Sequence, residues 1–255
     1  ARIPLAAVQA LPKGPKCNNK KLVINLDSMR HFRDRLQKLG YTVDYYAIDD
    51  PDAEKRAAGD QGMEAVLQHF IKKSGVSKLR WMQPNDYDML HDYEALGKTL
   101  KAQVKTFPNN MFINSLDEFI EWEKAQEDLV MENYYRIIRR KMNILMEGEY
   151  PIGGRWNYDI ENRVPPMENM QFPPLPTVRE DPVVKDVVKM VDARFPDYFG
   201  EAGDFWIPVT PEESLAWFHD FVEHRLRLFG MYQDAMVREN WYMYHSVISP
   251  MMNIG

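Results

Sequence analysis

The sequence is poor in the groups that most cofactor and metal chemistries need. Of its 255 residues only one is cysteine, Cys17. That excludes an internal disulfide, a cysteine-rich zinc site and an iron–sulfur cluster carried by this chain alone, which takes about four thiolates. The six histidines show no HExxH or other metal spacing, and GxSxG, Walker and GxGxxG motifs are all missing. Hydrolase, kinase and Rossmann dehydrogenase readings therefore have no support. No apolar run approaches the roughly 20 residues of a bilayer span, and a single thiol fits a reducing, soluble compartment in the cytosol or an organelle interior. A formal net charge of −6 excludes a nucleic-acid binder held by overall basicity, although a local basic stripe can still meet a phosphate backbone. The opening ARIPLAAVQALPKGPK lacks the apolar core of a signal peptide and reads as a processed or trimmed end.

What is present is globular. Hydrophobic residues make up 45% and charged residues 27%, enough for one large or two modest domains. Residues 21–26 (KLVINL) read as a buried strand, with Asp27 capping a helix that carries Met29, Phe32, Leu36 and Leu39 to Gly40. A strand at 41–48, a helix at 62–73, a strand at 78–82 and a helix at 85–101 complete a βαβαβα alternation, which predicts a parallel sheet. A short acidic helix begins at Ser115. The helix from Met131 places Met131, Tyr134, Tyr135, Ile138, Met142, Leu145 and Met146 on one stripe, expected to be core. A connector with Pro165, Pro166, Pro173, Pro174 and Pro176 follows. Asp181-Pro182 opens one more helix, and Thr210-Pro211-Glu212-Glu213 opens another with Leu215, Phe218, Phe221, Val222 and Leu226 inward as far as Gly230.

Three constellations stand out. Arg136, Arg139 and Arg140 share one helix face, either as a solvated face with Glu132 pairing Arg136 or as a dock for phosphate or carboxylate. Gly153-Gly154 opens a loop in which Arg155, Trp156, Asn157, Tyr158, Asp159, Glu161, Asn162 and Arg163 supply many donors and acceptors, for interdomain structure or for a ligand. HSVISP near the end sets His245, Ser246 and Ser249 at a helix start with Asn253 a turn later, either an ordinary cap or a phosphate-holding terminus.

The segments MENYYRIIRRKMNILMEGEYPIGGRWNYDIENR, FGMYQDAM and HSVISPMMNIG, with Ser28-Met29-Arg30-His31-Phe32 near the front, closely resemble the photolyase-related proteins that include iron–sulfur bacterial cryptochromes and (6-4) photolyases. The similarity runs from about Lys20 to Gly255. It implies an α/β fold: a parallel-sheet, Rossmann-like antenna-type domain over 1–110, a helical and Pro-rich linker over 111–180, and the start of an all-α FAD-type domain over 181–255. It further implies Tyr232, His245, Ser246, Ser249 and Asn253 as FAD-pocket candidates, with Gln233 and Asp234 nearby, and Arg155 and Arg163 as DNA phosphate contacts. Family members open with a strand and a Gly-Asp-Gln-type loop that helps hold a lumazine-type antenna. No such segment is read ahead of Lys20, so the first strand is expected to be missing, and residues 83–88 depart from the acidic-Pro and Arg pattern. The FAD-enclosing helices and the cluster cysteines are expected beyond Gly255. No catalytic residue is assigned within this chain, and FAD is expected only with the missing half. The readings left open are a truncated structural or assembly subunit, whose C-terminal helices are covered by a protein partner or missing domain, and the N-terminal half of a light-driven photolyase or cryptochrome.

Overall fold

In the computed structural model, residues 1–6, 16–49, 62–179 and 181–254 are described. They divide into two units: residues 1–109, 176–217 and 248–255 form the first, and 110–175 with 218–247 the second.

The first unit is α/β. Strand β1 (Arg2–Ala6) pairs in parallel with β2 (Thr42–Tyr46), in register from Arg2 opposite Thr42 to Ala6 opposite Tyr46. Arg2 Nη2 donates to Asp44 Oδ1 at 2.7 Å across this pair, and that hydrogen bond holds the Asp44 carboxyl below the usual aspartate range. Helix α1 (Asn19–Lys38) connects the two strands. Helix α2 (Met63–Ser74) leads to β3 (Lys78–Met82), and α3 (Tyr87–Thr99) crosses over to β4 (Gln103–Phe107), again parallel to β3. Helical crossovers between parallel strands are the pattern that the sequence alternation predicts. Leu67, Phe70 and Ile71 of α2, Leu96 of α3, Leu79 and Tyr46 bury one face of these strands. On the opposite face Lys78, Arg80 and Met82 stand beside Gln103, Lys105 and Phe107, all exposed.

Two expectations fail at the front. A strand precedes Lys20 after all, at Arg2–Ala6; residues 7–15, where its loop would follow, lie outside the described residues. Residues 21–26 are helix, not strand. Asn18 accepts from the Lys20 amide at 2.9 Å and caps α1 nine residues earlier than expected. Leu22, Val23 and Leu26 then fall on one helical face, and a short apolar run cannot by its periodicity alone reveal which element it forms. Asp27, expected as the cap, is consequently mid-helix and fully buried.

Helix α6 (Pro182–Arg194) packs Val187 and Val191 against Leu22, Val23 and Leu26 of α1, with Phe195, Ala202 and Ile48 completing the cluster. The start of α1 is tied to the chain after α6: the Asn19 amide donates to Phe199 O at 2.9 Å and Asn19 Nδ2 to Gly200 O at 3.1 Å. Gly200 has φ +81°, and a Cβ there would collide with the Asn18 side chain, so this junction requires glycine. Helix α7 (Pro211–His224) begins with the expected Thr210 cap, whose Oγ accepts from the Glu213 amide at 3.2 Å. The short α9 (Ser249–Ile254), near the end of the chain, also belongs to the first unit.

The second unit contains α4 (Leu116–Glu123), α5 (Met131–Met142), the small antiparallel pair β5 (Met146–Glu147) and β6 (Tyr150–Pro151), a 3-10 turn at Asp159–Glu161, and α8 (Leu226–Tyr232). Ser115 and Glu118 close a full capping box at the start of α4. The stripe expected as core on α5 is largely in water: Met131, Tyr135, Met142 and Leu145 are exposed, and Met146 alone among its members is buried. Arg139 is buried instead, because α5 ends at Met142 and the chain folds back over that side.

On α7 the inward residues are Trp217 and Phe221, while Leu215, Phe218, Val222 and Leu226 are exposed. The helix breaks at Arg225, which has φ −125°, rather than running to Gly230. Among the described residues no helix is long and apolar enough to cross a membrane.

Candidate functional site: arginines around Trp156

The glycine-rich loop and the arginine face of α5 come together around one indole. Helix α5 stops where Asn143 adopts the left-handed conformation, φ +52°. Past that stop the chain offers carbonyls with no helical donors, and Arg139 supplies them: Nε donates to Ile144 O at 3.1 Å and Nη2 to Leu145 O at 2.6 Å. Arg139 is thus a structural clamp on the turn after its own helix.

The β5–β6 hairpin then delivers Gly153-Gly154, both at positive φ (+81° and +74°). Tyr158 Oη lies against Gly153, donating to its carbonyl at 3.4 Å, and a Cβ on Gly153 would strike that hydroxyl. This reversal brings Trp156 back onto α5. The Arg140, Arg139 and Arg136 guanidinium carbons lie 4.7, 5.3 and 5.4 Å from its ring centroid, all within cation–π range. Glu132 secures the arrangement: it accepts from Arg136 Nε at 3.1 Å and from Asn157 Nδ2 at 3.0 Å. Those bonds, Arg136 first, hold its carboxyl below the usual glutamate range. The expected Glu132–Arg136 pair therefore exists, and the loop is stitched to it.

Arg155 and Arg163 point elsewhere. Arg155 Nη2 donates to Glu161 Oε1 at 2.6 Å, and its guanidinium lies 4.3 Å from the Tyr158 ring centroid. The Glu161 bond raises the Arg155 pKa. Arg163 Nη2 donates to Asp234 Oδ2 at 2.9 Å, with the arginine side chain mostly exposed. Backbone bonds from Asp234 N to Asn162 O (3.0 Å) and from Val164 N to Met231 O (3.0 Å) join the loop's exit to the end of α8. Besides its place over Trp156, Arg140 has a loose carboxylate contact, Glu149 at 3.9 Å. Arg140, Arg155 and Arg163 are all exposed.

The FAD-pocket candidates fall into two places. Tyr232 is buried and stacked on Tyr244, centroids 5.4 Å apart at 27°, within a cluster that includes Met243, Ala235 and Phe172. Burial, with Tyr232 beside it, raises the Tyr244 pKa. His245 sits edge-on to Phe229 at 5.5 Å. Tyr232, His245 and Ser246 belong to the second unit, whereas Ser249 and Asn253 lie on α9 in the first.

Sequence reasoning missed Arg225, a fully buried guanidinium at the α7–α8 break that is ion-paired to Asp220. Burial lowers its pKa. A basic residue within the apolar run RLRLFG is the signal that could have flagged it. Among the described residues no cluster of three or more His, Cys, Asp or Glu is arranged to hold a metal.

Comparison with known proteins places these segments in context. The chain is 32% identical over 238 residues to a (6-4) photolyase of Agrobacterium fabrum, an alignment covering 93% of this chain and 46% of that protein. The chain thus spans about half the length of this relative. An uncharacterized protein, R852, of Acanthamoeba polyphaga mimivirus is 24% identical over 150 residues, 57% of this chain and 71% of the viral one. The model of the deoxyribodipyrimidine photo-lyase-related proteins matches residues 2–207. With that match spanning both the α1–α6 core and the whole Trp156 loop, the chain belongs to the deoxyribodipyrimidine photo-lyase-related protein family.

Proposed function

We propose that this chain works as a non-catalytic photolyase-type scaffold, a structural or assembly subunit that holds another polypeptide segment against its α7–α8 surface. The observation that carries the reading is the apolar stripe of Leu215, Phe218, Val222 and Leu226. Leu215, Phe218 and Val222 recur at helical spacing on α7, Leu226 follows the break at Arg225, and each is more than 40% exposed. Large apolar side chains left in water in this way favour association over hydration. Met236 at 91% and Trp241 at 66% exposed extend the same tendency beyond α8. In this reading residues 1–110 act as the antenna-type domain, 111–180 as the linker and 181–255 as the start of an FAD-type helical domain.

Tyr232 supports a scaffold role as well, since it fills a packed aromatic cluster. His245, Ser246, Ser249 and Asn253 offer the imidazole, hydroxyl and amide donors that suit a diphosphate or ribitol. With Tyr232 serving as core, the set fits FAD only in part.

A second reading is favoured by one observation, the 32% identity to a (6-4) photolyase over nearly the whole chain. There the chain is the N-terminal half of a FAD-dependent, light-driven DNA photolyase or cryptochrome, and Arg155 and Arg163 meet the DNA backbone. The absorption spectrum and intact mass of the natively purified protein separate the two. A colourless chain near 30.0 kDa that co-purifies in a larger assembly supports the scaffold. A flavin band on a polypeptide of well over that mass overturns it in favour of the photolyase half.

A further inference from the structure

The core between α1 and α6 contains one carboxylate that apolar packing alone does not explain. Asp27 is fully buried beside Leu26. Both its carboxylate oxygens, together with Ser28 Oγ and His31 Nε2, are buried without a hydrogen-bond partner, an arrangement that native interiors rarely tolerate without a reason. His31, one turn further along α1, places Nε2 at 3.6 Å from Asp27 Oδ2 and 3.1 Å from Asp181 Oδ2. Asp181 is the cap of α6, where its Oδ1 accepts from the Val183 amide at 2.7 Å. One imidazole nitrogen therefore stands between the carboxylate of α1 and the residue that starts α6.

We propose that Asp27, His31 and Asp181 form a proton-operated clasp that fixes the start of α6 to α1, tightened when Asp27 takes up a proton. Protonation removes a buried charge and creates an O–H donor for Ser28 Oγ. It also leaves His31 to Asp181 alone, where the pairing reinforces the capped end of α6. When Asp27 is ionised, two carboxylates compete for one ring nitrogen.

The charged groups facing Asp27 come from three elements: Arg30 and His31 on α1, Asp181 at the start of α6, and Glu213 in the first turn of α7. Arg30 is partly occupied by Asp49 at 3.2 Å, and Glu213 accepts from Thr210 Oγ at 3.1 Å. Burial is the largest influence and raises the Asp27 pKa to about 6; His31 and Arg30 draw it down, while Asp181 and Glu213 add to the rise. A folded-state pKa above the unfolded value gives stability that is complete below the ordinary aspartate range, near about 3.9, and is lost as pH rises through about 6. Acid tightens the clasp.

The test compares thermal and denaturant unfolding of the full chain with that of Asp27→Asn between pH 5 and 7. For a group of this pKa the unfolding equilibrium constant rises about tenfold across that interval, and Asp27→Asn removes that rise. Parallel pH profiles for the two proteins overturn the proposal. Should Asp27→Asn fail to fold, carboxyl-carbon NMR of the selectively labelled wild type reads the Asp27 midpoint directly, and a midpoint near 4 refutes the clasp. Asp181→Ser keeps a capping oxygen but deletes the carboxylate. It is expected to lower the Asp27 midpoint, whereas a buried aspartate with no link to α6 would not respond.

Discussion

Between α1 and α6, Leu22, Val23, Leu26, Val187 and Val191 exclude water almost completely. Around Trp156 order comes instead from Glu132, Asn157, Tyr158 and three arginines, while much of the apolar surface nearby, including Leu145, Tyr150, Ile152 and Ile160, stays in water. The first arrangement depends on area removed from solvent and is insensitive to salt. The second depends on directional contacts of about 0.5–1 kcal/mol each and on two glycine conformations. A chain held in these two ways should lose its loop geometry well before its α/β core.

The comparison breaks first at Leu26. Leu26→Ala opens a cavity where no exposed surface can collapse inward, and the expected loss is about 3 kcal/mol, read as a lower denaturant midpoint with little dependence on ionic strength. Gly153→Ala acts on the other region. A side chain at φ +81°, against the Tyr158 hydroxyl, costs about 1–2 kcal/mol. The expected result is early proteolytic cleavage between residues 150 and 163, with the global unfolding transition little changed. A smaller effect follows from Asp181→Ala, which removes the α6 cap for about 1 kcal/mol and is measured as a reduced melting temperature.

Trp156→Leu keeps bulk but deletes the π face. It should raise amide exchange in the loop several-fold and lessen its salt sensitivity, for under about 1 kcal/mol. Least of all, Arg163→Ala removes an exposed pair with Asp234 worth about 0.2–1 kcal/mol and should leave stability within error at 0.5 M salt. If Leu26→Ala and Gly153→Ala instead melt both regions together, the two modes of stabilisation are not separable.

What could be read in advance follows the same division. Residues 78–82 are recognisable as a strand because Leu79 and Trp81 alternate with charge, and Asp181-Pro182 and Thr210 are recognisable as helix starts because capping is local chemistry. Residues 21–26 misled because six residues of mostly apolar sequence satisfy either period; the deciding bond, from Lys20 N to Asn18 Oδ1, lies outside the run. The α5 stripe misled for a different reason. Helical spacing shows which residues share a face but not which face the rest of the chain will cover, and the loop covers the side that carries Arg139. The Asp27–His31–Asp181 grouping joins residues more than 150 positions apart in the sequence and was invisible before α1 and α6 were seen side by side.

The open face of the β3–β4 pair has a consequence for the chain's behaviour in crowded solution. Parallel strands usually lie between two helical layers, and an uncovered one invites a neighbouring sheet. Here Arg80 lies directly opposite Lys105, with Lys78 one step along, and none of the three is in an ion pair among the described residues. Like charges side by side weaken their own ladder slightly, yet they make a second copy of the same face a repulsive neighbour. The two cations that oppose each other within one sheet therefore act as gatekeepers between sheets, tolerating a small internal cost to keep Met82 and Phe107 from seeding self-stacking.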